Sequence, residues 1–306
     1  MHEANCVAAQ DGGGSGSATL VRCYPAFLII GAMRSGTGAL LRALNRHPRL
    51  RSGRGEGGGR EVHFFSSLRK DEELHDYVYR FPLLPEAEAR GMQFFDKSPD
   101  YMRSKAALRQ LHLVVPSAKL IVILRDPARR AISEFHHNCR HGRYVALAAS
   151  RTILHKDDVV SSSSSYAPLP SPCSDEDVRA FYFSSNSTGA RKEAAHGFYA
   201  QQLRWVLALF PPHRLLLLFQ ENMQLDLPGT LRRVGSFLDL AEPFSIPATA
   251  QAGGAGGAGG EKEEGRNAVL QELRRFYAPH VLQLRALLVE FPSLLGNASA
   301  LPAWLR

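Results

Sequence analysis

The chain has 306 residues, of which 44% are apolar, enough to bury a substantial core in one large α/β domain or two smaller ones. The 37 Lys plus Arg exceed the 29 Asp plus Glu, a net charge of +8 that favours an anionic ligand, yet the arginines are dispersed and form no aromatic-basic block of the RNA-binding type. No stretch approaches the roughly 20 apolar residues of a membrane span, the N-terminus lacks the basic start and apolar run of a signal peptide, and none of Cys6, Cys23, Cys139 and Cys173 is at zinc spacing, so the chain as written reads as soluble and free of structural metal.

Residues 1 to about 24, rich in Gly, Ser and Ala, read as a disordered lead-in, with the domain running from 25 to 306. The organising stretch follows. Phe27-Leu28-Ile29-Ile30 reads as a buried strand, Gly31, Gly36 and Gly38 surround a turn, and Leu40, Leu41 and Leu44 recur at helical spacing. Such a loop directs successive backbone N–H groups at one anion, and the helix N-terminus adds its partial positive charge. Gly31-x-x-x-x-Gly36 has P-loop spacing, but Thr37 stands where a Walker loop carries lysine, and the positive charge lies inside the loop at Arg34. The stretch suits phosphate or sulfate rather than ATP hydrolysis.

Arg51 to Arg60 is a glycine-rich loop, and Glu61-Val62-His63-Phe64-Phe65 reads as a short strand. Asp71 to Tyr79 reads as a surface helix and Met92 to Asp96 as a strand leading into Lys97-Ser98-Pro99-Asp100-Tyr101. Lys105 to Leu113 reads as a helix. Leu120 to Leu124 is the clearest buried strand and ends in Arg125-Asp126-Pro127, with Asp126 as N-cap and Pro127 at the first position of a helix over Ala128 to His137. Residues 141–197 read as an insertion or long loop. Beyond it come a helix from Tyr199, a strand at Leu215 to Phe219 and a helix over Pro228 to Leu238. Residues 251–265 read as a mobile Gly-rich loop, and a helical region from Leu270 to Leu288 reads as broken or bent at Pro279.

Strands alternating with helices predict an α/β fold, a single domain with a central, mostly parallel sheet flanked by helices. Ligands gather at strand C-termini in such sheets. The loop after Ile30, the segment after Phe65, Lys97 and Arg125 all fall at predicted strand ends, as candidates to meet in one site. The four cysteines allow three full pairings, and free thiols are equally open.

Four stretches, in order, resemble the sulfotransferases that use 3′-phosphoadenosine 5′-phosphosulfate (PAPS), above all the heparan sulfate glucosaminyl 3-O- and N-sulfotransferases. IIGAMRSGTGALLRAL resembles their 5′-phosphosulfate loop, REVHFF their lysine-glutamate-x-histidine-phenylalanine-phenylalanine motif, FFDKSPDYM their glutamate-lysine-serine-proline segment, and KLIVILRDPARRAISEFHH their 3′-phosphate motif. A weaker likeness extends the coverage over most of residues 26–240. The resemblance implies a P-loop-like sulfotransferase fold with PAPS as co-substrate and no metal, a carbohydrate acceptor rather than nucleic acid, and a Golgi lumenal setting. It implies that Arg34, Ser35, Gly36, Thr37 and Gly38 hold the 5′-phosphosulfate and that Arg125 and Ser133 bind the 3′-phosphate. Glu61 would be the general base, with Arg34 and His63 as further catalytic groups. Lys97, Ser98 and Arg60 would meet the acceptor.

Two departures stand out. The heparan enzymes follow their two phenylalanines with aspartate, where this chain has Ser66. They also close a nucleotide-covering hairpin with cysteines and end it in lysine-glycine-arginine. Here GGAGGAGGEKEEGRN has no cysteine, and Gly265-Arg266, with Glu264 in the lysine's place, is the remnant that would keep Arg266 as a donor ligand. The competing readings are a sulfotransferase for an alcohol, lipid or tyrosine, a nucleotide-binding homologue that has lost catalysis, and a P-loop kinase. Asn186-Ser187-Thr188 and Asn297-Ala298-Ser299 match the glycosylation triplet.

Overall fold

A computed structural model describes residues 6–8, 19–66, 73–147, 153–156, 166–169, 173–184, 188–245, 260–295 and 301–306. In chain order the elements are β1 (Cys6–Ala8), β2 (Leu20–Cys23), β3 (Phe27–Gly31), α1 (Thr37–Leu44), β4 (Leu50–Ser52), β5 (Leu84–Pro85), α2 (Glu86–Ala89), β6 (Gln93–Lys97), α3 (Lys105–Val114), β7 (Lys119–Leu124) and α4 (Pro127–Arg140). They continue with β8 (Tyr144–Leu147), β9 (Ile153–His155), β10 (Tyr166–Pro168), α5 (Asp175–Arg179), α6 (Thr188–Ala195), α7 (Tyr199–Leu207), β11 (Leu215–Phe219), α8 (Gln220–Leu225), α9 (Leu227–Phe237) and α10 (Gly260–Glu290). Short 3-10 turns connect several of them.

The chain divides into two compact units. The first comprises Met1–Leu124, Gln202–Gly253 and Glu290–Pro302, and the second Arg125–Gln201, Gly254–Val289 and Ala303–Arg306. The first is built on a five-stranded sheet in the order β11-β7-β3-β6-β4, every pair parallel. Residues 27–30 of β3, residues 120–124 of β7 and Leu215–Phe219 of β11 are apolar without a break, as a sheet covered on both faces requires, whereas β6 ends in the buried polar residues Asp96 and Lys97. Alternate residues Phe27, Ile29, Ile121, Ile123, Leu216 and Leu218 face one layer with Leu40 and Leu44 of α1 and Val234 of α9, while Leu28, Val122 and Leu217 between them are equally buried. This is the α/β architecture that the alternation of elements predicts.

The second unit packs α4, α6 and α10 with a three-stranded antiparallel sheet in the order β10-β8-β9. Phe135, Tyr144, Val178, Phe181, Leu273 and Tyr277 share its core. The segment read as an insertion over 141–197 thus supplies strands and helices to a core of its own, and Cys139 is bonded to Cys173 within it.

Other expectations are corrected. Cys6–Ala8 and Leu20–Cys23, inside the stretch read as a lead-in, pair as antiparallel strands, and Cys6 is bonded to Cys23. Glu61 to Phe65 is not a strand: His63 has φ 54, in the left-handed region, and Phe64–Ser66 is a 3-10 turn that buries both phenylalanines. A strand would send the two rings to opposite faces. The surface helix read over Asp71 to Tyr79 is a 3-10 segment, Leu74–Arg80, with Tyr77 and Val78 buried; residues 71 and 72 lie outside the described residues. The C-terminal helix is not broken at Pro279, which sits inside α10. Proline costs the helix one hydrogen bond and a clash, and apolar anchors on both sides, Leu273 and Tyr277 before it and Leu284 and Leu287 after it, hold the two halves in place. Much of 251–265 and both glycosylation triplets' asparagines lie outside the described residues.

Candidate active site

The sheet of the first unit presents three loops at its C-terminal edge. The first follows β3. Ala32 N–H donates to the Ile123 carbonyl at 2.8 Å, tying the loop's start to the neighbouring strand. Arg34 is half-buried with φ 61, and Gly36, with φ 91, occupies the N-cap of α1. Only glycine adopts that conformation without strain, and a Cβ there would also stand 2.9 Å from the Met223 side chain. No side chain caps α1 and no acidic residue lies in its first turn. The first N–H groups of a helix have no partner within it, so those of Thr37 and Gly38 carry the helix's positive end without an internal anion. Ser35 is fully buried, and its Oγ has no hydrogen-bond partner among the described residues. A buried hydroxyl left unmatched beside an uncapped helix start fits a phosphate or sulfate group that supplies acceptor oxygens.

The second loop runs from β4 to His63. Gly53 N–H donates to Phe95 O at 2.8 Å. At Gly55 the backbone passes so close to Glu61 that a Cβ would lie 2.1 Å from the Glu61 carbonyl oxygen. Glycine at 55 therefore lets the loop fold back on itself and deliver Glu61 and His63 beside β6. Arg60 is exposed.

The third loop follows β6. Lys97 is paired in register with Ile29, two residues before Gly31, and Ser98 N–H donates to Ile29 O at 3.0 Å. The second and third loops meet. Lys97, whose side chain is only 6% exposed, is ion-paired through Nζ with Glu61 Oε1. Glu61 Oε2 lies 2.6 Å from His63 Nε2, and His63 Nδ1 lies 2.8 Å from Asp100 Oδ1. Ser98 Oγ accepts the His63 backbone N–H at 2.8 Å and donates to Asp96 Oδ1 at 2.7 Å, while Tyr77 Oη donates to Asp96 Oδ2 at 2.7 Å.

The electrostatics follow from these contacts. The hydrogen bond to Asp100, reinforced by Glu61 and opposed by burial, raises the His63 pKa to about 10, so the ring is an imidazolium at neutral pH. Burial pushes the Glu61 carboxyl up, but His63 and Lys97 outweigh it and hold Glu61 below its ordinary range. Asp100 is likewise lowered, with His63 overcoming burial. Fully buried Asp96 is pushed up to about 6, its hydrogen bonds only partly offsetting burial. Glu61, 35% exposed, is thus an oriented carboxylate with one face toward solvent.

Among the expected residues, Glu61, His63, Lys97 and Ser98 come together, and Arg34, Ser35, Gly36, Thr37 and Gly38 form one loop. Asp100, Asp96 and Tyr77 were not assigned a role from sequence. Asp100 lies three residues after Lys97, and that proximity was the only local signal for it. In the second unit, Arg125 is half-buried and its carbonyl accepts from Tyr199 Oη at 2.9 Å. Asp126 caps α4 as predicted: Oδ1 accepts from Ala128 N at 3.0 Å, and Oδ2 takes Nε and Nη2 of Arg274 at 3.1 and 2.9 Å. Arg274 locks the cap, a contact across 148 positions that no motif reveals. Ser133 is half-buried, two turns into α4. Arg266 falls in α10, but its side chain lies outside the described residues.

The sulfotransferase domain family matches residues 25–247, most of the chain. This chain belongs to the sulfotransferase family. A mouse heparan sulfate glucosamine 3-O-sulfotransferase 3B1 is 28% identical over 289 residues, covering 87% of this chain and 63% of that protein. The human bifunctional heparan sulfate N-deacetylase/N-sulfotransferase 3 is 27% identical, covering 92% of this chain and 31% of that protein. This sulfotransferase chain therefore spans about a third to under two thirds of the length of these curated relatives. Its fold is similar to a solved sulfotransferase from Alicyclobacillus acidocaldarius, with a TM-score of 0.56 and 21% identity over 93% of this chain and all of that one.

Proposed function

We propose that the protein transfers the sulfuryl group of PAPS to a hydroxyl or amine of a carbohydrate, with a heparan-like glucosamine as the acceptor. The observation that carries the reading is the Glu61 carboxylate held by His63 and by Lys97, which ends β6, the strand next to the one that feeds the Gly31–Gly38 loop. Family membership supports PAPS as donor, and the heparan sulfate relatives support the acceptor class.

The donor supplies an activated sulfuryl group, and the transfer is an in-line displacement: the acceptor oxygen or nitrogen forms a bond to sulfur as the bond to the bridging phosphate oxygen breaks. The amides of Gly36, Thr37 and Gly38 and the Arg34 guanidinium stabilise the charge left on that oxygen. Ser35 Oγ donates to the same anion. Glu61 Oε accepts the acceptor's proton, and His63 and Lys97 orient the carboxylate. Lys97, with Arg60 at the exposed end of its loop, contacts the acceptor, while Ser98, fully buried and bonded to His63 N–H and Asp96, supports the base from beneath. Arg125 takes the 3′-phosphate, for which a planar guanidinium suits bidentate binding, together with Ser133. The region from 25 to 306 serves as one catalytic domain.

Calorimetry with 3′-phosphoadenosine 5′-phosphate, the nucleotide product, tests the donor half of this reading. Wild type is expected to bind, and Arg125→Ala to bind more weakly by about 1.5–3 kcal/mol, the scale of a hydrogen bond to a charged group. A folded wild type that ignores this nucleotide contradicts the reading.

A further inference from the structure

We propose that Asp100 is a positioning residue for Glu61, acting through His63. The inference rests on the function proposed above and adds a residue to it.

Three observations carry it. The His63 ring is spanned by two carboxylates, with Nδ1 on Asp100 Oδ1 at 2.8 Å and Nε2 on Glu61 Oε2 at 2.6 Å, so the carboxylate on one side fixes what the other side can do. His63 is held in a left-handed conformation, φ 54, which an ordinary side chain avoids and which the surrounding contacts must pay for. Those contacts come from the Asp100 segment: Ser98 Oγ accepts the His63 N–H at 2.8 Å. Finally, Ser66, which stands where the heparan enzymes carry the aspartate, donates through Oγ to the His63 carbonyl at 3.2 Å and lies close enough to Asp100 to help lower its pKa, so both positions act on the same histidine.

Among the described residues, the charged and titratable groups around the ring include Glu61 from the glycine loop, Asp100 and Lys97 from the segment at and after β6, and Asp96 behind Ser98. With Asp100 ionised, both ring nitrogens carry protons and Nε2–H donates to Glu61. One carboxylate oxygen is then committed to His63 and the other to Lys97, which sets the plane of the base. Without Asp100 the ring loses the partner that favours its charged form, and a neutral ring is free to present an unprotonated Nε2 to Glu61, which repels the carboxylate instead of orienting it.

The test is an NMR titration of the His63 ring in wild type and Asp100→Asn, together with kinetics using PAPS and a heparan-type oligosaccharide. Wild-type His63 should titrate far above an ordinary histidine, near 10, and Asp100→Asn should lower the midpoint by roughly three pH units, about a thousandfold in proton affinity, which brings the neutral ring into the working pH range. The kcat should fall at least tenfold with the KM for PAPS unchanged, and Asp100→Asn/Ser66→Asp should recover both. An ordinary wild-type midpoint overturns the proposal without need of any variant, as does an Asp100→Asn enzyme with unaltered kcat. A wild type that turns over no acceptor while its His63 midpoint is high overturns the proposed function instead, so the two failures are told apart.

Discussion

Two clusters in this molecule are built from the same parts, and only one of them opens to solvent. In the first unit, Glu61 and Asp100 bracket His63, with Lys97 on Glu61. In the second, Arg130 is ion-paired with Glu134, whose other oxygen lies 2.9 Å from His196 Nδ1. Beside that pair, Glu193 accepts from Asn138 Nδ2 at 2.8 Å and from Tyr144 Oη at 2.7 Å. Arg130 is entirely buried and Glu134 nearly so, whereas Glu61 and His63 keep about a third of their side-chain surface in solvent. Burial works against both Glu61 and Glu134, and their cationic partners overcome it, so both remain charged. Glu193 has Glu134 as a like-charged neighbour, and burial with that repulsion lifts it to about 7. A charged cluster with an open face can exchange partners with a substrate, while a closed one can only hold its unit together.

The contrast is sharpest in what removal should do. Glu61→Gln should lower turnover by about 10²- to 10⁴-fold, the range of a lost general base, and should cost some stability because buried Lys97 loses its carboxylate, but less than a fully closed pair; a loss as large as that of Arg130→Met would show that the first cluster is scaffold too. Arg130→Met should do the reverse. Removing one partner of a buried ion pair costs about 3–5 kcal/mol, read by denaturant unfolding, and a silent variant would mean that Glu134 has another compensating partner. Arg125→Ala should weaken nucleotide binding by roughly 1.5–3 kcal/mol without moving the unfolding midpoint.

The smallest effect is the pH dependence. Glu193 titrates at about 7 in the folded protein against an ordinary value of 4.5, so its protonated form is favoured by folding. Its contribution is present in full below about 4.5 and is lost as pH rises through 7. His63 has the same sign at a higher window, its contribution lost as pH rises through about 10. Glu193→Gln should flatten the stability profile between pH 5 and 8 in urea titrations. A profile that keeps its slope in the variant assigns it to another group.

The parts of this structure legible in sequence are those whose causes are local. Leu120 to Leu124 is apolar on both faces, Asp126-Pro127 carries its own capping chemistry, and the glycines around Arg34 declare a turn. The second unit is opaque in sequence because its strands are three or four residues long, too short for an alternating pattern, and because four cysteines do not declare the Cys139–Cys173 bond. The strand read at Glu61 to Phe65 failed because His63's backbone is set by Ser98, 35 positions away. Pro279 reads as a break or a bend by its intrinsic preference; the helix continues through it, with Tyr277 and Leu284 buried on either side. The candidate site divides likewise: Glu61, His63 and Lys97 take their roles from recognisable strings, whereas Asp96 and Asp100, although in the same FFDKSPDYM string as Lys97, and Tyr77 gain their meaning only from partners brought by the fold.

The central claim is that Glu61 is the base of a sulfuryl transfer from PAPS. Its most direct test is mass spectrometry of a heparan-type oligosaccharide incubated with PAPS and either wild type or Glu61→Gln, at PAPS levels where both proteins are saturated. The account predicts a sulfated product from wild type and a rate at least a hundredfold lower from the variant, the lower bound for a general base. Equal product from both proteins would contradict it.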